Sequence, residues 1–202
     1  MKKVLLSSTY FGPIQYYTKL HQYDEAYIER YDHYAKQTYR NRCMIMTTNG
    51  PQALTVPIES YDGSKCTMRD IRISDHGNWR HQHHNALESA YGESPYYEYY
   101  IDELMPFFER KWKYLYDFNM DICTKICEFI DIRPTIIATD EYMKADGIDD
   151  LRDAIRPKHP LPDNDFYAKR YYQVYEQKHG FVGNLSILDL LFNMGPEGIF
   201  YL

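Results

Sequence analysis

The stretch VLLSSTYFGP, residues 4–13, decides the fold class of this 202-residue chain. Val4 to Thr9 has the apolar character of a buried β-strand. Gly12-Pro13 follows at once, and because proline is favoured at the first helical position, a helix is predicted from Pro13 to Gln22. The order strand, tight loop, helix is typical of an α/β fold. Free N–H groups at the start of such a helix suit an anion, although the same arrangement also serves as an ordinary connection.

Four further strands are predicted before residue 75. Ala26–Glu29 is a short one. Arg40–Thr48 and Gln52–Ile58 both alternate apolar and polar residues, and the Asn49-Gly50 pair between them is a strong hairpin signal. Thr67–Ile73 repeats the alternation.

The chain then changes to a helical period. Asn78 or Asp75 is predicted to cap one helix, and Ser94-Pro95 to begin the next, with Pro106 kinking or breaking it. A long helix with an apolar stripe from Phe108 to Phe129 follows.

The last third is less regular. Residues 131–165 are expected to form an exposed loop that contains one strand, Thr135–Thr139. Another strand is predicted for Phe166–Tyr175 and a helix for Ser186–Asn193, which Gly195-Pro196 ends. The fold class is therefore α/β or α+β: a mixed β-sheet with an Asn-Gly hairpin in the N-terminal half, packed by a helical C-terminal half.

Composition excludes several classes of protein. The length favours one domain, residues 1–202. The net charge of −6 argues against a general nucleic-acid binder. No apolar run approaches the ~20 residues of a membrane span, and the N-terminus lacks the apolar core of a signal peptide, so a soluble cytoplasmic protein is expected. The four cysteines form no CxxC pair and are expected to be buried free thiols.

Several catalytic motifs are missing from the sequence. It has no P-loop, no G-x-G-x-x-G and no G-x-S-x-G, so it gives no support to nucleotide hydrolysis, dinucleotide redox chemistry or a serine nucleophile. His84 and Glu88 stand four apart on a helix, but one such pair without a third ligand predicts no metal site. No cofactor is expected.

Two polar side chains lie on apolar helical stripes. His83 is either a buried neutral histidine or a general base that faces a pocket. Asn119 needs a hydrogen-bond partner if buried, and it either ties helices together or meets a polar ligand.

Residues 33–42, HYAKQTYRNR, are dense in hydrogen-bond donors. Lys36, Arg40 and Arg42 could clamp a phosphate or carboxylate, and Asn41 falls on the face of the strand where inward residues are expected. The alternative is a solvated edge with charge pairs.

Ser186 and Asp189 are the first and last residues of an S-x-x-D motif that precedes an apolar run. A capping box is favoured, with Ser186 as the cap and Asp189 bonding back to it.

Four blocks of this chain resemble the WbqC-like family, in a short form associated with Bacteroidetes-type bacteria. They are LLSSTYFGPIQY at residues 5–16; HYAKQTYRNR at 33–42, extended by the hairpin to Val56-Pro57; Trp79, His83, Tyr91 and Pro95-Tyr96-Tyr97; and Tyr172-Gln173, Gly180-Phe181 and residues 184–195. The family motif positions are Gln15, Lys36, Asn41, Arg42, Trp79, His83, Tyr91, Ser186 and Asp189.

The resemblance implies a role in bacterial surface-polysaccharide loci of the O-antigen type, with glycine or aminoacyl transfer as the suggested activity. His83, which its place on an apolar helical stripe singles out and which is also a motif position, is the candidate base. Gln15, Lys36, Asn41, Arg42, Tyr91, Ser186 and Asp189 are the candidate substrate-binding residues.

Three hypotheses about function remain open. The first is an acyl or aminoacyl transferase that acts on a sugar or nucleotide-sugar, with a donor that is free or carried by a protein. The second is a non-catalytic module that binds a nucleotide-sugar or glycan. The third is an interaction scaffold that uses exposed tyrosines. A His83 that opens onto a pocket beside Lys36 and Arg42 favours the first, and a His83 buried away from any pocket favours the second or a purely structural role for this histidine.

Overall fold

A computed structural model describes residues 1–61 and 65–202 of the chain. Its centre is a parallel sheet of four strands in the order β5-β2-β1-β6. The strands are β1 (Lys3–Ser7), β2 (Glu25–Glu29), β5 (Ile136–Ala138) and β6 (Asp149–Asp150). In register, Val4 pairs with Ala26 and Ser7 with Glu29. The fold is therefore mixed α/β, as the sequence predicts.

The opening stretch builds the middle of this sheet. Val4, Leu5 and Leu6 are buried, as expected of a central strand covered on both faces. The chain turns at Gly12, where an added Cβ would lie 2.3 Å from Thr9 Oγ1, and Pro13 caps helix α1 (Ile14–Gln22). The predicted strand, loop and helix are all present.

A separate antiparallel hairpin is formed by β3 (Arg42–Thr47) and β4 (Gly50–Thr55). Thr47 pairs with Gly50, so the turn residues are Thr48 and Asn49, one position before the Asn49-Gly50 pair. Gly50 opens β4 at φ +103, a conformation that favours glycine.

Three long helices follow: α2 (Trp79–Tyr91), α3 (Tyr97–Glu109) and α4 (Leu115–Phe129). The N-cap of α3 is Tyr96, two residues after the predicted Ser94, because the Ser94 hydroxyl donates to the Tyr91 carbonyl instead of capping α3. Pro106 does not break α3, which continues to Glu109. The stripe predicted from Phe108 is divided between α3 and α4.

Two predicted strands are wrong. In Thr67–Ile73 the chain forms a 3₁₀ helix, Met68–Asp70, flanked by isolated bridges from Thr67 to His33 and from Ile73 to Ile58. Phe166–Tyr175 is irregular, because Tyr171 and Gln173 point to a buried carboxylate rather than along a sheet. The segment 131–165 also holds β6, which its sequence does not predict.

The C-terminal part contains α5 (Glu176–His179), α6 (Ile187–Met194) and a 3₁₀ helix, Gly195–Tyr201. Helix α6 is buried from Ile187 to Asn193 and packs against α1, α3 and β3, so it lies in the middle of the core. Within the described residues, no helix has both the length and the hydropathy to cross a bilayer.

Candidate functional site

Buried polar side chains gather at the carboxyl edge of the parallel sheet. We call them the edge cluster; its members are Ser7, Ser8, Glu29, Asp32, Arg40, Asn119, Thr139 and Arg152. Ser7 ends β1, Glu29 ends β2, Thr139 follows β5 and Arg152 follows β6, so all four strands contribute. Asn119 comes from α4 and is fully buried.

One half of the edge cluster is organised around Glu29. Its Oε1 accepts from the Tyr31 N–H and from Thr139 Oγ1, both at 2.8 Å. Its Oε2 accepts from the Met143 N–H at 2.8 Å and from an Arg152 nitrogen at 3.2 Å. This buried carboxylate has four donors, one of which is a guanidinium, so its charge is compensated.

The other half is a chain of contacts that leads from β1 to Asp32. Asn119 Nδ2 donates to Ser8 Oγ at 3.2 Å and to the Arg40 carbonyl at 2.8 Å. An Arg40 nitrogen donates to Asp32 Oδ2 at 2.5 Å. Burial raises the pKa of the Asp32 carboxyl, and the neighbouring Arg40 opposes that rise.

Four atoms of the edge cluster are buried without a hydrogen-bond partner in residues 1–61 and 65–202: Ser7 Oγ, Asp32 Oδ1, Arg40 Nε and Asn119 Oδ1. Native proteins leave few buried polar groups unpaired, since each costs about 1–3 kcal/mol. Each of these four atoms therefore needs a further partner, such as a water or a ligand group. The Asp32 side chain keeps 12% of its surface exposed, so the edge cluster reaches solvent on that side.

The position of the edge cluster in the sheet agrees with this. From β1 the chain passes to β2 on one side, and β6 later joins β1 on the other side. The β1/β6 boundary is therefore a point where strand order reverses, and open α/β sheets bind ligands outside the carboxyl ends of their strands at such a point.

His83 lies outside the edge cluster. It is buried on α2, its Nδ1 is 2.8 Å from the Tyr10 hydroxyl, and its ring packs edge-on against Trp79. Burial lowers the pKa of His83 to about 4, so the imidazole is neutral near pH 7. His81 and His84, rather than His83, line a cavity beside α2.

The predicted donors of residues 33–42 separate from one another. Lys36 is exposed in a turn. Asn41 is buried and its Nδ2 donates to the Val56 carbonyl, whereas Arg42 Nε donates to Thr55 Oγ1 across the hairpin. Arg40 joins the edge cluster.

Tyr91, Asp189 and Ser186 come together at α6. The Tyr91 hydroxyl donates to Asp189 Oδ1 at 3.0 Å, and the Tyr171 hydroxyl donates to Oδ2 at 2.8 Å. Ser186 Oγ accepts from the Leu188 N–H, which confirms Ser186 as the N-cap. The second half of the capping box is wrong, because Asp189 faces the tyrosines and the Ser186 N–H donates to the Met44 carbonyl.

Gln15 belongs to a different contact. Its Nε2 donates to Asp163 Oδ2 at 2.7 Å, and its Oε1 accepts from Asn184. The buried Lys19 ammonium lies 2.8 Å from the same Asp163 carboxylate. Gln15 and Lys19 thus fasten the proline-rich segment to α1.

Sequence reasoning missed most of the edge cluster. Glu29 and Asp32 carried a usable signal, because Glu29 ends a predicted strand and Asp32 follows three residues later, and the residues at the carboxyl ends of parallel strands meet at one sheet edge. Thr139 ends a predicted strand, but Arg152 carried no comparable signal, since β6 is only two residues long. Of the residues singled out in the sequence, Asn119 and Arg40 belong to the cluster.

Comparison with known protein families gives a match for most of this chain. The sequence model of the WbqC-like protein family matches residues 7–156. This chain belongs to the WbqC-like protein family. The matched region contains the whole edge cluster, whereas Ser186 and Asp189 lie beyond it.

A curated relative extends the similarity to the whole chain. It is "Uncharacterized protein Rv1507c" of Mycobacterium tuberculosis (strain ATCC 25618 / H37Rv), 28% identical over 231 aligned positions that cover 100% of this chain and 98% of the relative. No solved structure matches this WbqC-like protein.

Proposed function

We propose that this WbqC-like protein binds a sugar-containing ligand at the edge cluster and serves bacterial surface-polysaccharide assembly. The observation that supports the proposal is the set of four unpartnered buried atoms on Ser7, Asp32, Arg40 and Asn119. The polysaccharide context comes from the family resemblance.

The chemistry of these atoms suits sugar hydroxyls. A hydroxyl both donates and accepts. The carboxylate oxygen of Asp32 and the amide oxygen of Asn119 accept, the Arg40 nitrogen donates, and the Ser7 hydroxyl does either. Two acceptors and a donor suit hydroxyl groups better than a bare anion, because an anion can only accept hydrogen bonds.

A second candidate function is transfer of an acyl or aminoacyl group to that sugar. The observation in its favour is Asp32, whose raised pKa and unpartnered Oδ1 suit a proton acceptor at the same edge. His83 is the alternative base. Its neutral ring can accept a proton, but its Nδ1 lies against the Tyr10 hydroxyl.

A thermal-shift screen followed by mass spectrometry tests both candidates. The panel contains nucleotide-sugars, coenzyme A thioesters and aminoacyl donors. A ligand at 100 times its dissociation constant stabilises by about 2.7 kcal/mol, which a melt resolves. Stabilisation by a nucleotide-sugar supports the binding function. No shift with any sugar-containing ligand contradicts it.

The transferase requires a further result, a mass gain on the sugar when donor and acceptor are combined. If such a gain occurs, Asp32→Asn and His83→Gln identify the base. Loss of transfer in Asp32→Asn alone assigns Asp32, and loss in His83→Gln alone assigns His83. Absence of any mass gain with a bound sugar leaves the binding function and rejects the transferase for that pair.

A further inference from the structure

A polar cavity lies beside the start of α2, on residues that the proposed function does not use. Its volume is about 370 Å³, within the range of small-ligand sites. Arg80, His81 and His84 line it together with Trp79, Phe108 and Glu109. The lining thus contains one guanidinium, two imidazoles and one carboxylate.

Arg80 is the residue that gives this cavity its chemistry. Its guanidinium stacks 4.6 Å from the Trp79 ring centroid, and its Nη1 lies 2.8 Å from Asp75 Oδ1. Its Nε and Nη2 are buried and have no hydrogen-bond partner among residues 1–61 and 65–202. A guanidinium with two free donors in a fixed plane is suited to two oxygens of one oxyanion.

Two carboxylates and a second cation lie near Arg80. The Asp75 carboxylate is shared between Arg80 and Lys111, and these two cations hold the pKa of Asp75 below its usual value. The first turn of α2 contains no acidic residue, and the Asn78 side chain makes no capping hydrogen bond. Glu109 is the opposing charge and limits how many negative charges the cavity accepts.

We infer that this cavity is a binding site for a phosphate or pyrophosphate group, held by Arg80 with His81 and His84. The ligand class is a phosphorylated small molecule, which includes the free anions and the diphosphate of a nucleotide. The inference stands apart from the edge cluster, whose unpartnered atoms match hydroxyls instead.

Calorimetric titration of the full chain with sodium pyrophosphate at constant ionic strength tests the inference. We expect saturable binding that weakens at least tenfold in Arg80→Gln and severalfold in His84→Ala. The matched control is Lys111→Gln, which removes the other cation on Asp75 but lies outside the cavity lining and is 79% exposed. That variant is expected to bind within twofold of the unchanged chain.

Each other result overturns the inference. Unchanged affinity in Arg80→Gln excludes the site, and an equal loss in Lys111→Gln shows diffuse charge attraction. Should Arg80→Gln fail to fold by circular dichroism, His84→Ala decides alone, because His84 is only half-buried. Ser7→Ala distinguishes the two sites. If this variant still binds pyrophosphate, the anion site is separate from the edge cluster. If binding is lost, the anion binds at the edge cluster and the inference is wrong.

Discussion

At the scale of single residues, Asp189 shows what burial does to a charge. Its carboxylate accepts from Tyr91, Tyr171 and Gln173 and has no cation among these contacts. Burial raises the pKa of Asp189 to about 6, which the three donors only partly offset. The folded protein therefore holds the Asp189 proton more tightly than the unfolded chain does.

This predicts a pH dependence of stability with a definite sign. Between about pH 4 and pH 6 the folded state binds more protons at Asp189, so the free energy of unfolding falls as pH rises through that window. A rise of about two pKa units corresponds to ~3 kcal/mol. Urea unfolding at several pH values measures it. The free energy of unfolding of the unchanged chain, minus that of Asp189→Asn, is expected to fall by that amount from pH 4 to pH 7. A constant difference would show that Asp189 does not titrate there.

Tyr10 provides a second residue-scale prediction. Its hydroxyl is the partner of His83 Nδ1 in a buried site. Tyr10→Phe keeps the ring and removes this hydrogen bond, so a loss of about 1–3 kcal/mol is expected in chemical denaturation. Tyr142→Phe, at an exposed tyrosine, is the control and should change stability by less than ~0.5 kcal/mol. Equal effects of the two variants would exclude a contribution from the Tyr10–His83 contact.

Local sequence patterns predict residue roles only where the partner is close in the chain. Ser186 is a predictable cap because it bonds Leu188, two residues away. The partners of Asp189 are not predictable, since Tyr91 is 98 positions away and Tyr171 lies in a segment with no regular pattern. The same holds for Asp32 and Asn119, which only the tertiary fold brings to one edge.

At the scale of elements, the end of α6 depends on Gly195. Its φ of +55 favours glycine, and an added Cβ would lie 2.5 Å from the Tyr96 ring. Gly195→Ala is expected to lower stability by more than ~2 kcal/mol, from backbone strain together with overpacking. Gly147 has φ +73 and open space around it. Gly147→Ala is therefore expected to lower stability by only about 1 kcal/mol, from backbone strain without overpacking. Thermal melts compare the two variants. An equal loss of stability in both would show that overpacking against Tyr96 does not contribute.

The elements that sequence predicts well are those whose pattern is local. Strand β1, helix α1 and the two hairpin strands follow from apolar runs and alternation, whereas the hairpin turn lies one residue before the predicted Asn49-Gly50 pair. Thr67–Ile73 has the same alternation but forms a 3₁₀ helix. Its Ile71 and Ile73 are buried and bond to residues of other segments, so tertiary packing overrides the strand propensity. Strand β6 exists only because Val4 and Leu5 provide an edge for it.

At the scale of the whole molecule, one apolar cluster runs from Val4 to Leu202. We therefore expect the 202 residues to unfold in one cooperative step, as the predicted single domain requires. Circular dichroism and tryptophan fluorescence should report the same midpoint. Removal of residues 185–202 takes away α6, whose apolar side chains from Ile187 to Phe192 are fully buried, and should abolish cooperative unfolding. Two separate transitions in the intact chain would contradict a single domain.

The central claim is that the edge cluster is a sugar-binding site, and the affinity of Ser7→Ala tests it most directly. Ser7 Oγ has no partner among the described residues, so its removal should leave the melting temperature unchanged or raise it. Titration with the nucleotide-sugar that stabilises the unchanged chain should show affinity at least fivefold weaker, whereas the exposed Ser89→Ala should match the unchanged chain. Equal affinity in Ser7→Ala and Ser89→Ala would contradict the claim.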